Sequence, residues 1–155
     1  MSDDKLRERA RARAMNALNT RAMSRGEMRE RLIKLGESED LAEETADWLA
    51  EIGVIDDAEY AGALARNLAR RGYGARRMRD EFFKRKIPRE LWDDAIAENA
   101  DEDGSAAAII AFIEKRLRGD APSYDEKRRV SAALARRGFS WDEINEGWRQ
   151  ITENR

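Results

Sequence analysis

Apolar residues recur along this chain at spacings of three and four, broken by short polar corners, and the same run appears three times. Aligned on Gly36, Lys86 and Gly138, the positions eight residues earlier hold Met28, Met78 and Val130, and those four earlier hold Leu32, Phe82 and Leu134. That spacing predicts one buried face of a helix running into a stop. Two residues past each stop stand Ser38, Pro88 and Ser140. Serine there can cap orphan backbone N–H groups, and proline fits a first turn that needs no N–H. Beyond them, Ala42 with Ala46, Trp92 with Ile96, and Ile144 with Trp148 hold matching positions one turn apart.

Nine helices follow from this pattern, in three sets of three. The first set spans about 4–23, 26–35 and 39–52, the second 57–71, 75–85 and 89–99, and the third 105–118, 124–137 and 141–152. Four start signals stand directly before periodic runs: Ser24-x-x-Glu27, Asp56-x-x-Glu59, Ser123-x-x-Glu126 and Ser140-x-x-Glu143. In each, one side chain can accept from the third helical N–H while a carboxylate reaches back. No run of alternating β-branched residues suggests a strand. The expected fold is all-α, with three tandem three-helix repeats at 1–54, 55–102 and 103–155. Repeats of about this length usually stack into an extended body that holds a partner. The joints fall at Gly53-Val54-Ile55 and Asp101-Glu102-Asp103-Gly104.

Composition narrows the chemistry. The 155 residues are 40% charged, so the core is thin, yet the net charge of -2 and the clear periodicity argue against disorder. There is no cysteine and no histidine, which removes disulfides, thiolate nucleophiles, Cys/His zinc sites and imidazole bases. No pair among the 32 acidic residues stands out as catalytic, and neither a metal site nor a cofactor is expected. The longest apolar run, Ala106 to Ile113, is too short to span a bilayer, and Met1-Ser2-Asp3-Asp4 lacks the features of a signal peptide. The expected location is cytoplasmic, with no membrane partner.

Charge is segregated along the chain. Residues 1–36 hold ten Lys/Arg and five Asp/Glu, while residues 37–60 hold ten acids and no base. Residues 61–89 hold ten bases and two acids, and residues 90–105 hold seven acids and no base. Three helices with a tight final turn suggest a helix-turn-helix, but the last helices of the first two sets carry the acidic blocks and phosphates would repel them. The basic residues lie on the preceding pair of helices, opposite the Tyr60, Leu64, Leu68 and the Met78, Phe82 stripes. The candidate binding residues are therefore Arg66, Arg70, Arg71, Tyr73, Arg76, Arg77, Lys84, Arg85 and Lys86, facing a phosphate backbone or an acidic protein groove. Tyr60, Phe82, Trp92, Phe112 and Trp148 read as core. Tyr73, between Gly72 and Gly74, either staples its turn or meets a partner. Lys86 stands where the other repeats have glycine, at a cost on the order of 1 kcal/mol. Its side chain is expected in solvent or against a partner.

Several short segments, in this order and spacing, resemble the RecX family of regulatory proteins, which modulate the RecA recombinase. They are Ser24-x-x-Glu27-Met28-x-x-x-Leu32, Ile55-Asp56-Asp57-x-x-Tyr60-Ala61, Gly72-Tyr73-Gly74 with Met78-x-x-Glu81-Phe82-x-x-Arg85-Lys86-Ile87, and Arg136-Arg137-Gly138-Phe139-Ser140-x-x-x-Ile144. The resemblance implies an elongated, curved, all-helical protein that binds the RecA filament on DNA and restrains strand exchange, ATP hydrolysis and co-protease activity. The expected partners are that filament and, weakly and unaided, single- or double-stranded DNA, met by a monomer without enzymatic activity. In that setting the acidic helices would face basic protein patches and the arginine cluster would face acid or phosphate. Two other classes stay open: a sequence-independent nucleic-acid binder, and an enzyme working with carboxylates alone.

Overall fold

The computed structural model describes residues 2–99, 104–117 and 121–154, and the regular structure in them is helical. The helices are α1 (Asp3–Thr20), α2 (Arg25–Lys34), α3 (Glu39–Glu51), α4 (Asp57–Arg70), α5 (Ala75–Lys84), α6 (Trp92–Asn99), α7 (Gly104–Leu117), α8 (Tyr124–Arg136) and α9 (Trp141–Glu153). The acidic joint at Asp101-Glu102-Asp103 and the expected helix end at Arg118 lie outside the described residues.

Capping sets most of these boundaries. Ser24 and Ser140 form complete capping boxes with Glu27 and Glu143, whose carboxylates accept from the cap N–H at 3.1 and 2.9 Å. Asp56 and Ser123 each accept from the third residue on, from Glu59 N–H and Glu126 N–H, both at 3.1 Å. Pro88 has no side-chain oxygen to offer, and the segment expected as one helix from residue 89 begins instead as a 3₁₀ turn, Arg89–Leu91, before α6. The first helix also ends earlier than residue 23. Arg21 turns to extended backbone, so that Met23 drops into the core from the position before the Ser24 cap. Met28 is buried in the same cluster, the arrangement of a hydrophobic staple, and Phe139 with Ile144 repeats it at the start of α9.

The three stops share one geometry. Gly36, Lys86 and Gly138 have φ of 101°, 57° and 98°, and the next residue donates its N–H back to Leu32, Phe82 and Leu134 carbonyls at 3.0, 3.0 and 3.3 Å. With the stop residue's own N–H donated to Ile33, Phe83 and Ala135, this pair of hydrogen bonds satisfies carbonyls that a helix end otherwise leaves open. The carbonyl just before each stop also finds a donor. Arg13 Nη1 donates to Leu35 at 2.8 Å, Ser24 Oγ to Arg85 at 2.5 Å, and Gly74 N–H to Arg137 at 2.8 Å.

The packing separates into two compact units, which cut through the middle trio. Unit 1 is Met1–Ala61 with Phe82–Trp92, and unit 2 is Gly62–Glu81 with Asp93–Arg155. In unit 1 the alanine face of α1, Ala10, Ala14 and Ala17, allows close approach to a core of Met28, Leu32, Ala42, Ala46 and Leu49. Fully burying each of the larger side chains contributes roughly 1.5–3 kcal/mol. Phe82 belongs here too, its ring centroid 6.0 Å from that of Trp92. The core of unit 2 is built from Ile109 and Ile113 of α7, Val130 and Leu134 of α8, and Ile144, Trp148 and Ile151 of α9. Trp148 Nε1 donates to Ser131 Oγ at 2.8 Å, which satisfies both buried polar groups.

Lys86 is exposed, as one of its two readings expected, but its ammonium is paired within the chain. Its Nζ stands 2.8 Å from Glu30 Oε1, and its Cβ lies so close over α2 that a side chain at Gly26 would come within 2.7 Å of it. The lysine thus seals a corner within unit 1.

Candidate functional site

The basic residues behave differently in the two units. In unit 1 many of them are held by carboxylates, although Arg11 lies 3.9 Å over the Trp48 ring and Arg89 5.4 Å over that of Trp92. Arg7 pairs with Glu44 at 3.0 Å, Arg29 with Glu43 at 2.6 Å, and Arg25 with both Glu43 and Asp47. Of the six acids on α3, Glu43, Glu44 and Asp47 are thus paired with arginines of α1 and α2. Glu37 is the extreme case. Only 5% exposed, it accepts from Arg9 Nε and Nη2 at 3.1 Å and from Arg13 Nη1 at 2.8 Å. Those hydrogen bonds, led by Arg9, hold its carboxyl below the usual carboxylate range despite burial.

In unit 2 Arg149 is likewise held by Glu146 and Glu153, but at one joint the arginines surround aromatic rings instead. The α4 to α5 turn, Gly72-Tyr73-Gly74, lies directly on the α8 to α9 turn, Arg137-Gly138-Phe139. Gly74 N–H donates to Arg137 O, and Arg76 N–H donates to Gly138 O at 3.1 Å. A Cβ on Gly74 would stand 2.6 Å from Gly138 O, and one on Gly138 would stand 2.5 Å from Arg77 N, so only glycines permit this backbone contact. The joint brings three guanidiniums onto the Tyr73 ring: Arg77 at 4.9 Å, Arg71 at 5.2 Å and Arg137 at 5.3 Å from its centroid. Arg137 also lies 5.0 Å from Phe112 of α7, which carries Arg116 at 3.7 Å. Arg137 Nη1 donates to Arg71 O at 3.1 Å, fixing the guanidinium between the two rings. Cation–π contacts hold like charges in place without neutralising them.

A groove of about 670 Å³ opens beside this stack. Arg70, Arg71, Lys115, Arg116 and Arg137 line it with Ala69, Ala108, Ala111 and Phe112, and no carboxylate is among the lining residues. None of these five cations is ion-paired with another described residue. Five positive charges around one opening create a strong local potential for an anion, above all one with repeated charges. On the far side of the Gly138 joint, Arg76, Arg77 and Arg136 line a second recess whose one acid is Asp80.

The nine residues singled out by the sequence divide accordingly. Arg70, Arg71, Tyr73, Arg76 and Arg77 gather at the joint in unit 2. Arg66, exposed on α4, folds back over Gly62, where its Nη1 lies 3.3 Å from the place a Cβ would take. Lys84, Arg85 and Lys86 belong to unit 1 and are engaged within the chain, Arg85 Nη1 donating to Tyr60 Oη at 2.8 Å. Tyr73 carries the guanidiniums of Arg71, Arg77 and Arg137 on its ring. Phe112, expected in the core, is half-buried with Arg116 on its face. Lys115, Arg116, Arg136 and Arg137 were not candidates. A signal existed for two of them, the basic pair immediately before the Gly138 stop, but nothing local marked Arg116 as reaching the same surface. Among the described residues no group of carboxylates could hold a metal ion, and no helix is long and apolar enough to cross a membrane.

Comparison with known proteins agrees with this architecture. Profiles of the first, second and third three-helix domains of RecX match residues 10–49, 56–96 and 103–146. The regulatory protein RecX of Chlorobium limicola is 30% identical over 92% of this chain and 89% of its own length. That of Pseudomonas entomophila is 31% identical over 84% of each chain. The crystal structure of RecX from Lactobacillus salivarius, at 22% identity, has a TM-score of 0.86 over 96% of this chain and 98% of that one, a likeness of fold. Three consecutive domain matches, relatives at this identity over nearly full length, and an all-helical fold of tandem trios place the chain in the RecX family of regulatory proteins.

Proposed function

We propose that this protein regulates the RecA nucleoprotein filament, mainly restraining its recombinase, ATPase and co-protease activities, and that it acts by binding and not by catalysis. The observation that carries the reading is the groove lined by Arg70, Arg71, Lys115, Arg116 and Arg137 without a carboxylate. In a chain of net charge -2, five cations at one opening with no ion-pair partner among the described residues are a local device for meeting a polyanion. A filament on DNA offers such a surface in phosphate and acidic side chains, and Tyr73, Arg76 and Arg77 extend the contact across the joint. The absence of histidine and cysteine from the sequence, and carboxylates engaged in ion pairs and caps, support a binding role. The boundaries 1–54, 55–102 and 103–155, a monomeric state and a cytoplasmic location belong to the same proposal.

The test follows the ATPase of the cognate RecA on single-stranded DNA as this protein is titrated in. Loss of turnover at a small fraction of the RecA concentration is the expected result, and undiminished turnover at excess protein would overturn the proposal. The same groove favours a second reading, a nucleic-acid binder indifferent to sequence. That reading predicts tight binding to naked DNA, with log affinity falling against log salt by about 0.9 per duplex phosphate contacted, and no added effect of the recombinase.

A further inference from the structure

Trp141 opens α9 one residue past the Ser140 cap and is 58% exposed. The equivalent positions in the other repeats hold Glu39 and Arg89, side chains suited to water. The indole takes no part in the unit 2 core. It also differs from the other rings of that unit that meet cations. Tyr73 and Phe112 are covered by guanidiniums and Trp148 carries the Lys127 ammonium, whereas no cation among the described residues stacks on Trp141. Around it lies a recess of about 290 Å³ lined with Arg76, Arg79, Phe139, Ser140 and Glu143, where Arg79 Nη2 also stands 3.9 Å from Oδ1 of the exposed Asp93. Arg76 also lines the recess shared with Arg77 and Arg136. The Glu143 carboxylate there is committed to the Ser140 N–H at 2.9 Å.

We propose that Trp141 is a stacking platform for an unpaired nucleobase, with Arg76 and Arg79 of the same recess holding the neighbouring phosphates. A free aromatic face takes either a cation or a flat π-system, and two flanking guanidiniums repel the first. An anion joined to a flat ring fits both features, and a nucleotide of a single strand is that ligand. In duplex DNA the bases are stacked on one another and the indole has nothing to receive. The groove at Arg70, Arg71 and Arg116 reads phosphate alone, so Trp141 is what makes this surface prefer single strands.

This inference rests on the nucleic-acid contact proposed above, and the experiment separates the two. Binding of the full chain to an oligothymidylate and to a duplex of equal length is measured by anisotropy for wild type, W141A, W141F and the groove variant R70A/R71A/K115A/R116A, with circular dichroism confirming each fold. Stacking on an aromatic side chain changes affinity by roughly 5- to 150-fold per base. W141A is expected to lose about that factor on the single strand and less than about twofold on the duplex, with W141F between. W141A binding both nucleic acids like wild type, or losing both equally while the groove variant still abolishes binding, overturns the stacking role and leaves the groove standing. Wild type that binds neither nucleic acid at low salt overturns both.

Discussion

The first and third trios use the same helical stop, yet they treat positive charge in opposite ways. In the first, Arg7, Arg9, Arg13, Arg25 and Arg29 are each held by a carboxylate, and the position after the stop is the buried Glu37. In the third, the position after the stop is Phe139, buried in the core, and the arginines beside it rest on rings and line a groove. The carbonyl before the stop is capped in both. Arg13 caps Leu35 from within its own trio, while Arg137 is capped by Gly74 of the preceding trio. At its stop the first trio closes with charge and the third with apolar packing, which leaves Arg137 without an ion-pair partner among the described residues.

The largest expected effect concerns that difference. Removing four groove cations with R70A/R71A/K115A/R116A should lower affinity for RecA filaments on single-stranded DNA about a thousandfold at about 50 mM salt. It should also flatten the slope of log affinity against log salt by about 0.7 for each phosphate no longer neutralised. The matched variant R7A/R25A/R29A, with cations already paired, should leave binding nearly unchanged.

Next in size is the joint between turns. Gly138→Ala forces a Cβ into Arg77 N at a positive φ and should destabilise by roughly 3 kcal/mol, lowering Tm by roughly 6–12 °C. Gly36→Ala meets nothing closer than Arg13 Nη1 at 3.9 Å and should cost only the backbone strain, about 1 kcal/mol. Equal losses at the two stops would remove the distinction between an open corner and a docked one.

Glu37→Ala should destabilise by about 2 kcal/mol, less than a fully buried broken pair because Arg9 and Arg13 are a third exposed and can turn to water. Glu37→Leu, which copies the apolar choice of the other trios, should cost less. Because the folded carboxyl titrates below its unfolded value, Glu37 stabilises the chain at neutral pH. That contribution disappears as pH falls below the ordinary carboxylate range near 4.3 and through the lower folded value. Glu37→Gln should remove this part of the acid limb in a chemical-denaturation series across pH.

The smallest effect is at Lys86. Lys86→Gly relieves a positive φ at the expense of an exposed pair with Glu30, and should stabilise by about 1 kcal/mol at most.

Helix periodicity made most of the fold readable before any coordinates. Met28, Leu32, Phe82, Leu134 and Ile144 are all fully or nearly fully buried where the pattern placed them, and the serine caps fall where their side chains were expected to accept. These features depend on neighbours three or four residues away, which a sequence displays directly. What it hid depends on distant partners. Glu37 reads as one more acid in a block of ten, and only the folded chain brings Arg9 and Arg13 to it across more than twenty positions. Arg137 reads as the last polar residue of a helix, yet it joins Tyr73 to Phe112. The arginine cluster of residues 66–89 was visible as charge, but its division between two units was not, because periodicity along a helix carries no sign of which core each end of that helix enters.

The central claim is that unpaired cations of unit 2, and not the paired ones of unit 1, hold the polymer. Its most direct test is co-sedimentation of wild type, R70A/R71A/K115A/R116A and R7A/R25A/R29A with RecA filaments assembled on single-stranded DNA at physiological salt. The account predicts that the groove variant stays in the supernatant while the unit 1 variant pellets like wild type. A groove variant that pellets as fully as wild type, with its fold intact, would contradict it.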